Sequence, residues 1–462
     1  MRVLLIVYDN GSLVTYFPQG TAYIAAVLRQ NDIDVEIYCQ DYHHYPDEHL
    51  TEYLNKNRFD VIGLGIIGGY YQYRKLLSLS KAINCSKNRP FYIIGGHGPT
   101  PEPEYFFEKT NADVIVIGEG EETIIELLNA HHKHKNLSSV KGIAYRDGNK
   151  TIVNPRRNLI KDIDNIPIPA YELFPIEFYR LVKESKATST DFSLPVLSGR
   201  GCPYSCNFCY RMDKGFRPRS NESIVAELSF LKETYRINYI IFSDELLMSS
   251  KSRTESICKA IIKAKLNIKW WCNGRLNYAE PALLRLMKKS GCVFINYGIE
   301  AVDDQILKNM NKALTVKQII RGTEATLAVG ISPGLNIIWG NIGENLETLQ
   351  KGVDFLLKYN DGSEMRTIRP VTPYPGSPLY YYAIEKGLLK DCRDFYENKH
   401  VNSDLLAVNF TNLTDEEFHR ALLDANTVLI KDYFKKKLKW NLKTAQSLYL
   451  ENDVSFRGFR QL

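Results

Sequence analysis

The form of the apolar segments narrows the folds open to this chain more than any other feature. Val3–Tyr8, Val35–Tyr38, Val61–Ile67, Phe91–Ile94 and Val114–Ile117 are short and continuously apolar, and helical patterns at Gly20–Arg29, Tyr73–Ile83 and Glu121–Ala130 lie between them. A strand that is apolar on both faces needs cover on both, and helices between successive strands supply it. Residues 1–135 are therefore expected to form a doubly wound parallel sheet. Such sheets bind ligands beyond the carboxyl ends of their strands.

The alternation resumes after a break. Strand patterns fall at Val196–Ser198, Asn238–Phe242, Lys269–Gly274, Phe294–Ile299, Gly334–Trp339 and Arg366–Pro370, with amphipathic helices such as Ser223–Glu233, Pro281–Ser290 and Leu346–Tyr359 between them. Six strand–helix units over residues 191–400 predict a barrel, complete or partial. Residues 136–190 hold Asp147-Gly148 and then IDNIPIPAYELFP, whose Pro167, Pro169 and Pro175 preclude a long helix and mark a linker laid across a neighbour. Residues 401–462 are mainly one helical pattern, Asp415–Leu438, read as a small extension. The expected class is α/β: a Rossmann-like doubly wound domain, a partial (β/α)6 TIM-type barrel and a helical C-terminal extension.

Length and charge exclude some functions. A chain of 462 residues is too long for one ordinary core and suggests two or three domains. The formal charge of +6 is small for this length, and the only dense basic run, Lys435-Lys436-Lys437, reads as a solvated helix face rather than a nucleic-acid patch. No apolar run reaches the ~18 residues of a membrane span, and MRVLLIVYDN is too short for a secretion signal, so a cytoplasmic protein is expected.

Of nine cysteines, six are scattered and three crowd into LSGRGCPYSCNFCYR as Cys202, Cys206 and Cys209. Scattered thiols are usually small buried hydrophobes. The triplet follows the first barrel strand, where a loop can fold three thiolates around one centre. A [4Fe–4S] cluster takes one thiolate per iron, so three cysteines leave one iron open to chelate a substrate. Structural zinc, the rival reading, usually takes two separated ligand pairs.

The triplet, with Phe208 before its last cysteine and Tyr210 after it, resembles the radical S-adenosylmethionine superfamily. That resemblance implies a partial or full (β/α) barrel, a [4Fe–4S] cluster on Cys202, Cys206 and Cys209, and reductive cleavage of S-adenosylmethionine to a hydrogen-abstracting 5′-deoxyadenosyl radical. Other stretches are similar in order. IIFSDELL sets Asp244 and Glu245 where the superfamily meets the methionine amino group. NYGIEAVDD sets Glu300 where it meets the ribose, and GLNIIWGNIGEN sets Gly340 beside the adenine. Taken singly, Asp244 and Glu300 are also what a structural ion pair or cap at a strand end looks like.

The strand ends of the first domain are rich in glycine: Gly65 after the third strand, Gly95-Gly96-His97 after the fourth, and Gly118 and Gly120 after the fifth. Glycine permits close approach of backbone to a bulky ligand. The layout resembles the cobalamin-binding domain attached to a large class of radical S-adenosylmethionine enzymes. Gly95-Gly96 fits the classical pattern, while glycine replaces its serine and the first loop, DNGSLVTYFPQG, lacks the cobalt-ligating histidine. In the radical class cobalamin binds without that histidine, which leaves His97 a contact at the corrin periphery or a turn residue.

The resemblance implies a cobalamin-dependent radical enzyme that methylates an unactivated carbon of a small-molecule, lipid or peptide substrate, supplied with electrons by a flavodoxin or ferredoxin. Rearrangement, cyclisation, oxidation or epimerisation is the alternative outcome of the same chemistry. A non-catalytic cluster or cobalamin sensor is the alternative outside it.

Overall fold

The computed structural model describes residues 1–212 and 214–453. Strands β1 (Arg2–Val7), β2 (Asp34–Cys39), β3 (Val61–Gly65), β4 (Phe91–Gly95) and β5 (Val114–Val116) are parallel. Every residue of β1 from Val3 to Val7 is buried, as the continuous apolar run requires. Two strands that the sequence reading did not anticipate, β6 (Ile143–Asp147) and β7 (Lys150–Val153), turn at Gly148 and extend the sheet antiparallel, giving the order β2-β1-β3-β4-β5-β6-β7. The chain leaves β1 on one side for β2 and on the other for β3. The crevice at their carboxyl ends therefore lies between the loops at 8–18 and 66–69.

The second sheet is a half-barrel. Strands β8 (Ser193–Val196), β9 (Gly199–Arg200), β10 (Arg217–Pro218), β11 (Tyr239–Phe242), β12 (Lys269–Gly274), β13 (Cys292–Glu300), β14 (Ser332–Trp339) and β15 (Arg369–Pro370) follow in the chain. Six of them pair in parallel, in the order β15-β14-β13-β12-β11-β8. β9 and β10 stand apart as a two-residue antiparallel neck that closes the cysteine loop. Along β12 the side chains alternate, Trp270 and Cys272 buried beneath the helices and Trp271 and Asn273 turned to the half-open lumen.

The proline-bearing stretch before β8 does cross a neighbour, but it buries Tyr171, Phe174 and Tyr179 in doing so. Phe17, from the loop after β1, stacks on Tyr171 at 5.1 Å and meets Phe174 and Tyr179 edge-on, so aromatic packing joins the two sheets. At the C-terminus Thr414 and Glu417 form a capping box, and the helix they open runs Asp415–Leu450, past the expected stop at Leu438. Its Phe418, Leu422, Ala425 and Leu429 enter the barrel core, with Phe418 stacked 4.2 Å from Trp339.

Candidate active site

The cysteine loop is shaped by its neck. Gly201 has φ +85°, and a Cβ there would lie 2.3 Å from the Gly215 carbonyl oxygen, so only glycine lets the loop leave β9. Asn207 fixes the far side: its N–H donates to Met310 O (2.9 Å), its amide pairs with Asn341 at 3.0–3.1 Å, and its carbonyl accepts from Leu379 N at 2.8 Å. Phe208 packs against the barrel core. Burial pushes the thiol of Cys206 up, and burial together with the charges of Cys206 and Cys202 pushes Cys209 up to about 11. Two such thiols stay ionised only beside strong positive charge, which fits an iron–sulfur centre. Among the described residues no three thiol, imidazole or carboxylate groups gather on a point tight enough for a single ion. A [4Fe–4S] cluster does not require that, because each thiolate binds a different iron.

The acids assigned from sequence fall in different settings. Asp244 is fully buried, and its carboxylate accepts from Ser198 N (3.0 Å) and Ser198 Oγ (2.8 Å). Burial raises its pKa to about 6 against those bonds. Its role in this structure is to tie the ends of β8 and β11 together. Glu245 is exposed and lies near enough to the cysteine loop that its charge raises the pKa of Cys209. Glu300 sits where the β13–β14 register shifts, with φ +69°, and accepts from buried Lys312 Nζ at 2.8 Å. A β-branched residue could not hold that backbone cheaply. Gly340 has φ +95°, and a Cβ there would stand 2.7 Å from Phe418, so its lack of a side chain admits the C-terminal helix.

Below these strand ends an amide ladder crosses the lumen, which sequence reasoning missed. Arg366 Nη1 donates to Asn336 Oδ1 (3.1 Å), Asn336 Nδ2 to Asn296 Oδ1 (2.7 Å), Asn296 Nδ2 to Asn273 Oδ1 (3.0 Å), and Asn273 Nδ2 to Asp244 O (2.8 Å). Neighbouring strands carry the rungs, and no local pattern announces them.

In the first domain, Gly65 and Gly118 face open space, since a Cβ at either would meet nothing within 4 Å. Backbone bare of side chains at two strand ends is the cradle a broad, flat ligand needs, so these residues fit cobalamin. Gly95 is paired with Gly65 across β3 and β4. Gly96 serves the fold: at φ +97° a Cβ would lie 2.4 Å from Ile66 O. Gly120 likewise makes room for Ile24, at 2.9 Å. His97 reaches solvent from a recess whose crowding lowers its pKa, and its ring stands edge-on to Tyr210, 6.1 Å between centroids.

A clamp that the sequence did not reveal joins the two sites. Glu119, in the turn between Gly118 and Gly120, accepts from Arg200 Nη1 and from Arg217 Nη1, both at 2.8 Å, while Arg200 Nη2 donates to Glu121 at 2.6 Å. Arg200 and Arg217 are opposite each other in the β9–β10 neck. The cysteine loop is thus held at its root by the same turn that offers Gly118 to a ligand.

A doubly wound domain with an open cradle, clamped to a half-barrel with a three-cysteine loop, defines a protein built around two large cofactors. Comparison with known proteins agrees: residues 196–356 match the radical SAM superfamily, and residues 12–128 match the B12 binding domain. An uncharacterized methyltransferase of Pyrococcus horikoshii is 29% identical over 94% of this chain and 95% of its own. The anaerobic magnesium-protoporphyrin IX monomethyl ester cyclase of Rubrivivax gelatinosus is 26% identical over 82% of this chain and 69% of its own. The radical S-adenosylmethionine methyltransferase TsrM of Kitasatospora setae shares the fold, with a TM-score of 0.75 and 16% identity over 92% of this chain and 88% of that one. The chain belongs to the radical SAM enzymes that carry an N-terminal B12-binding domain. A [4Fe–4S] cluster, S-adenosylmethionine and cobalamin are the cofactors of that pair of domains.

Proposed function

We propose that the enzyme methylates an unactivated carbon of a small-molecule, lipid or peptide substrate held in the barrel lumen. The observation that carries this reading is the adjacency of the two sites: His97, beside Gly95-Gly96, meets Tyr210, beside Cys209. When bound, the cluster and S-adenosylmethionine supply a hydrogen-abstracting radical and cobalamin supplies a methyl group, a division of labour that suits a carbon with no lone pair. Cys202, Cys206 and Cys209 hold the cluster. Glu245 is the carboxylate on the cysteine-loop side that suits the methionine ammonium, Glu300 suits the ribose, and Gly340 lies on the adenine side. Gly65, Gly95, Gly96 and Gly118 form the corrin cradle, with His97 at its edge. The Glu119 clamp keeps the two cofactors in register, which is the protein's share of such chemistry. A cytoplasmic setting and an electron donor such as a flavodoxin or ferredoxin complete the proposal, since thiolate-held clusters need a reducing compartment.

Similarity to the methyltransferases supports this outcome, and similarity to the cyclase favours a second one, ring closure by the same radical. Anaerobic reconstitution with iron, sulfide and cobalamin, followed by turnover with deuterated-methyl S-adenosylmethionine, separates them. A product that gains a CD3 group supports methylation. Loss of two hydrogens with no label transferred supports the cyclase reading. In Cys206→Ala, 5′-deoxyadenosine release and cluster absorbance should both vanish; if they persist, the cluster assignment fails.

A further inference from the structure

The helix Asp415–Leu450 changes character half-way along. Up to Leu429 one face is buried in the barrel core, at Phe418, Leu422, Ala425 and Leu429. Farther on, Lys436 faces the protein: its Nζ donates to Asn360 O at 2.9 Å and pairs with Asp432 at 2.7 Å. Successive helical residues are ~100° apart, so Phe434 and Leu438, two positions to either side of Lys436, point away from the body. They belong to a stripe of Phe434, Leu438, Leu442 and Tyr449, each between 58% and 72% exposed, and Leu423 continues it toward the barrel at 59%. Steps of four, four and seven keep these residues on one side of the helix.

The charge around the stripe is one-sided. Residues 431–450 contain Lys431, Lys435, Lys436, Lys437, Lys439 and Lys443 against Asp432 as the only acid. Lys435 flanks the stripe on one side and Lys437 on the other, Lys431 lies in line with it, and Trp440 stands exposed farther round. No described helix is long and apolar enough to cross a membrane. A basic helix with a narrow aromatic and leucine stripe is suited to lie in the plane of a lipid interface, its apolar residues among the acyl chains and its lysines among the headgroups. A second copy of the same helix would set lysine rows against lysine rows. Nucleic acid would leave the apolar stripe uncovered.

We infer that the distal half of the C-terminal helix, about Lys431–Leu450, is a docking surface for an anionic phospholipid bilayer. It holds the catalytic domains at the membrane surface without spanning the bilayer. The docking is independent of whether the reaction is methyl transfer.

The test is flotation of the reconstituted full-length enzyme with vesicles of phosphatidylcholine, pure or with roughly one third phosphatidylglycerol. The anionic vesicles should carry the protein and the neutral ones should not, with binding falling at least tenfold in about 0.5 M salt. Lys435→Gln combined with Lys437→Gln, at exposed or half-exposed positions, should weaken binding about tenfold or more, because each surface lysine contributes about 1 kcal/mol and a tenfold change is about 1.4 kcal/mol. Leu438→Glu should abolish binding while leaving cluster content and basal 5′-deoxyadenosine release unchanged. Failure to float with anionic vesicles, or equal binding to both kinds, overturns the inference. So does a concentration-dependent dimer that Leu438→Glu dissociates in a protein that ignores vesicles, since the stripe would then be an interface between copies.

Discussion

Replacing Glu119 tests whether the clamp, rather than the linker, fixes the two cofactor sites relative to each other. The Glu119 side chain is 10% exposed and those of Arg200 and Arg217 are 17% and 15%, so solvent screens these pairs little. Each guanidinium bond to Glu119 is charge-assisted, a kind that contributes about 1.5–3 kcal/mol. Neither arginine is abandoned when Glu119 goes, because Arg200 keeps Glu121 and Arg217 keeps Ile160 O at 2.7 Å. Glu119→Ala is therefore expected to cost about 3 kcal/mol, not the sum of both bonds, and Glu119→Gln, which retains one acceptor, about half of that. Burial acts to raise the pKa of Glu119, but the bonds from Arg217 and Arg200 outweigh it and the net shift is downward. A carboxyl lowered on folding gives stability that is present above its unfolded pKa and lost as pH falls through the folded one. The gap between wild type and Glu119→Gln should be full near pH 7 and close below the ordinary carboxylate range of about 4. Urea denaturation at several pH values measures it. The ratio of 5′-deoxyadenosine released to product formed should rise in both variants as the cysteine loop loses its fixed distance from the cradle. Destabilisation under about 0.5 kcal/mol in Glu119→Ala, with an unchanged ratio, would mean that the clamp does not fix the two sites.

Asp244→Asn should be about 2–3 kcal/mol more stable than wild type near pH 8, because a buried carboxyl raised by about two pKa units gives stability that is present below its unfolded value and lost as pH rises through the folded one. The difference should close as pH falls through about 6 toward 4, and pH-dependent denaturation reads it directly. Gly96→Ala forces a Cβ to within 2.4 Å of Ile66 O at φ +97°; it should cost at least about 2 kcal/mol and lower the cobalamin retained after reconstitution, measured by absorbance. Lys312→Met leaves Glu300 buried and unpaired, and a loss of about 3 kcal/mol in urea denaturation is expected; no loss would mean that Glu300 is solvated by other means.

The parallel strands were legible because burial on both faces forces an unbroken apolar run, and the helix Leu346–Tyr359 matched its pattern residue for residue, opened by the Asn345 capping box. The β6–β7 hairpin escaped because it is an edge: half its residues face water, so its strands lack that signature even though Asp147-Gly148 marked the turn. Asp244 could be read as an acid at a strand end but not as one turned toward Ser198, which depends on the packing of β8 beside β11. The clamp was out of reach for a related reason. Glu119 and Arg200 are 81 residues apart, and nothing local in either segment signals the other. The C-terminal helix was cut short at Leu438 because its exposed apolar stripe and dense lysines do not form the core-facing pattern that marks a buried helix.

The amide ladder in the barrel lumen has a direction. Every rung donates the same way, from the guanidinium of Arg366 through Asn336, Asn296 and Asn273 to the carbonyl of Asp244. Amides aligned head to tail polarise one another, and because the Arg366 guanidinium can only donate and the Asp244 carbonyl can only accept, the two ends hold all three asparagines in this one setting. One asparagine cannot turn over without leaving a donor facing a donor. Each asparagine still has a second amide hydrogen and a second carbonyl lone pair, so a molecule in the lumen meets donors and acceptors whose places are already set. The lumen thus carries a fixed polarity along a row from β11 to β14, set at its two ends rather than by any one asparagine within it.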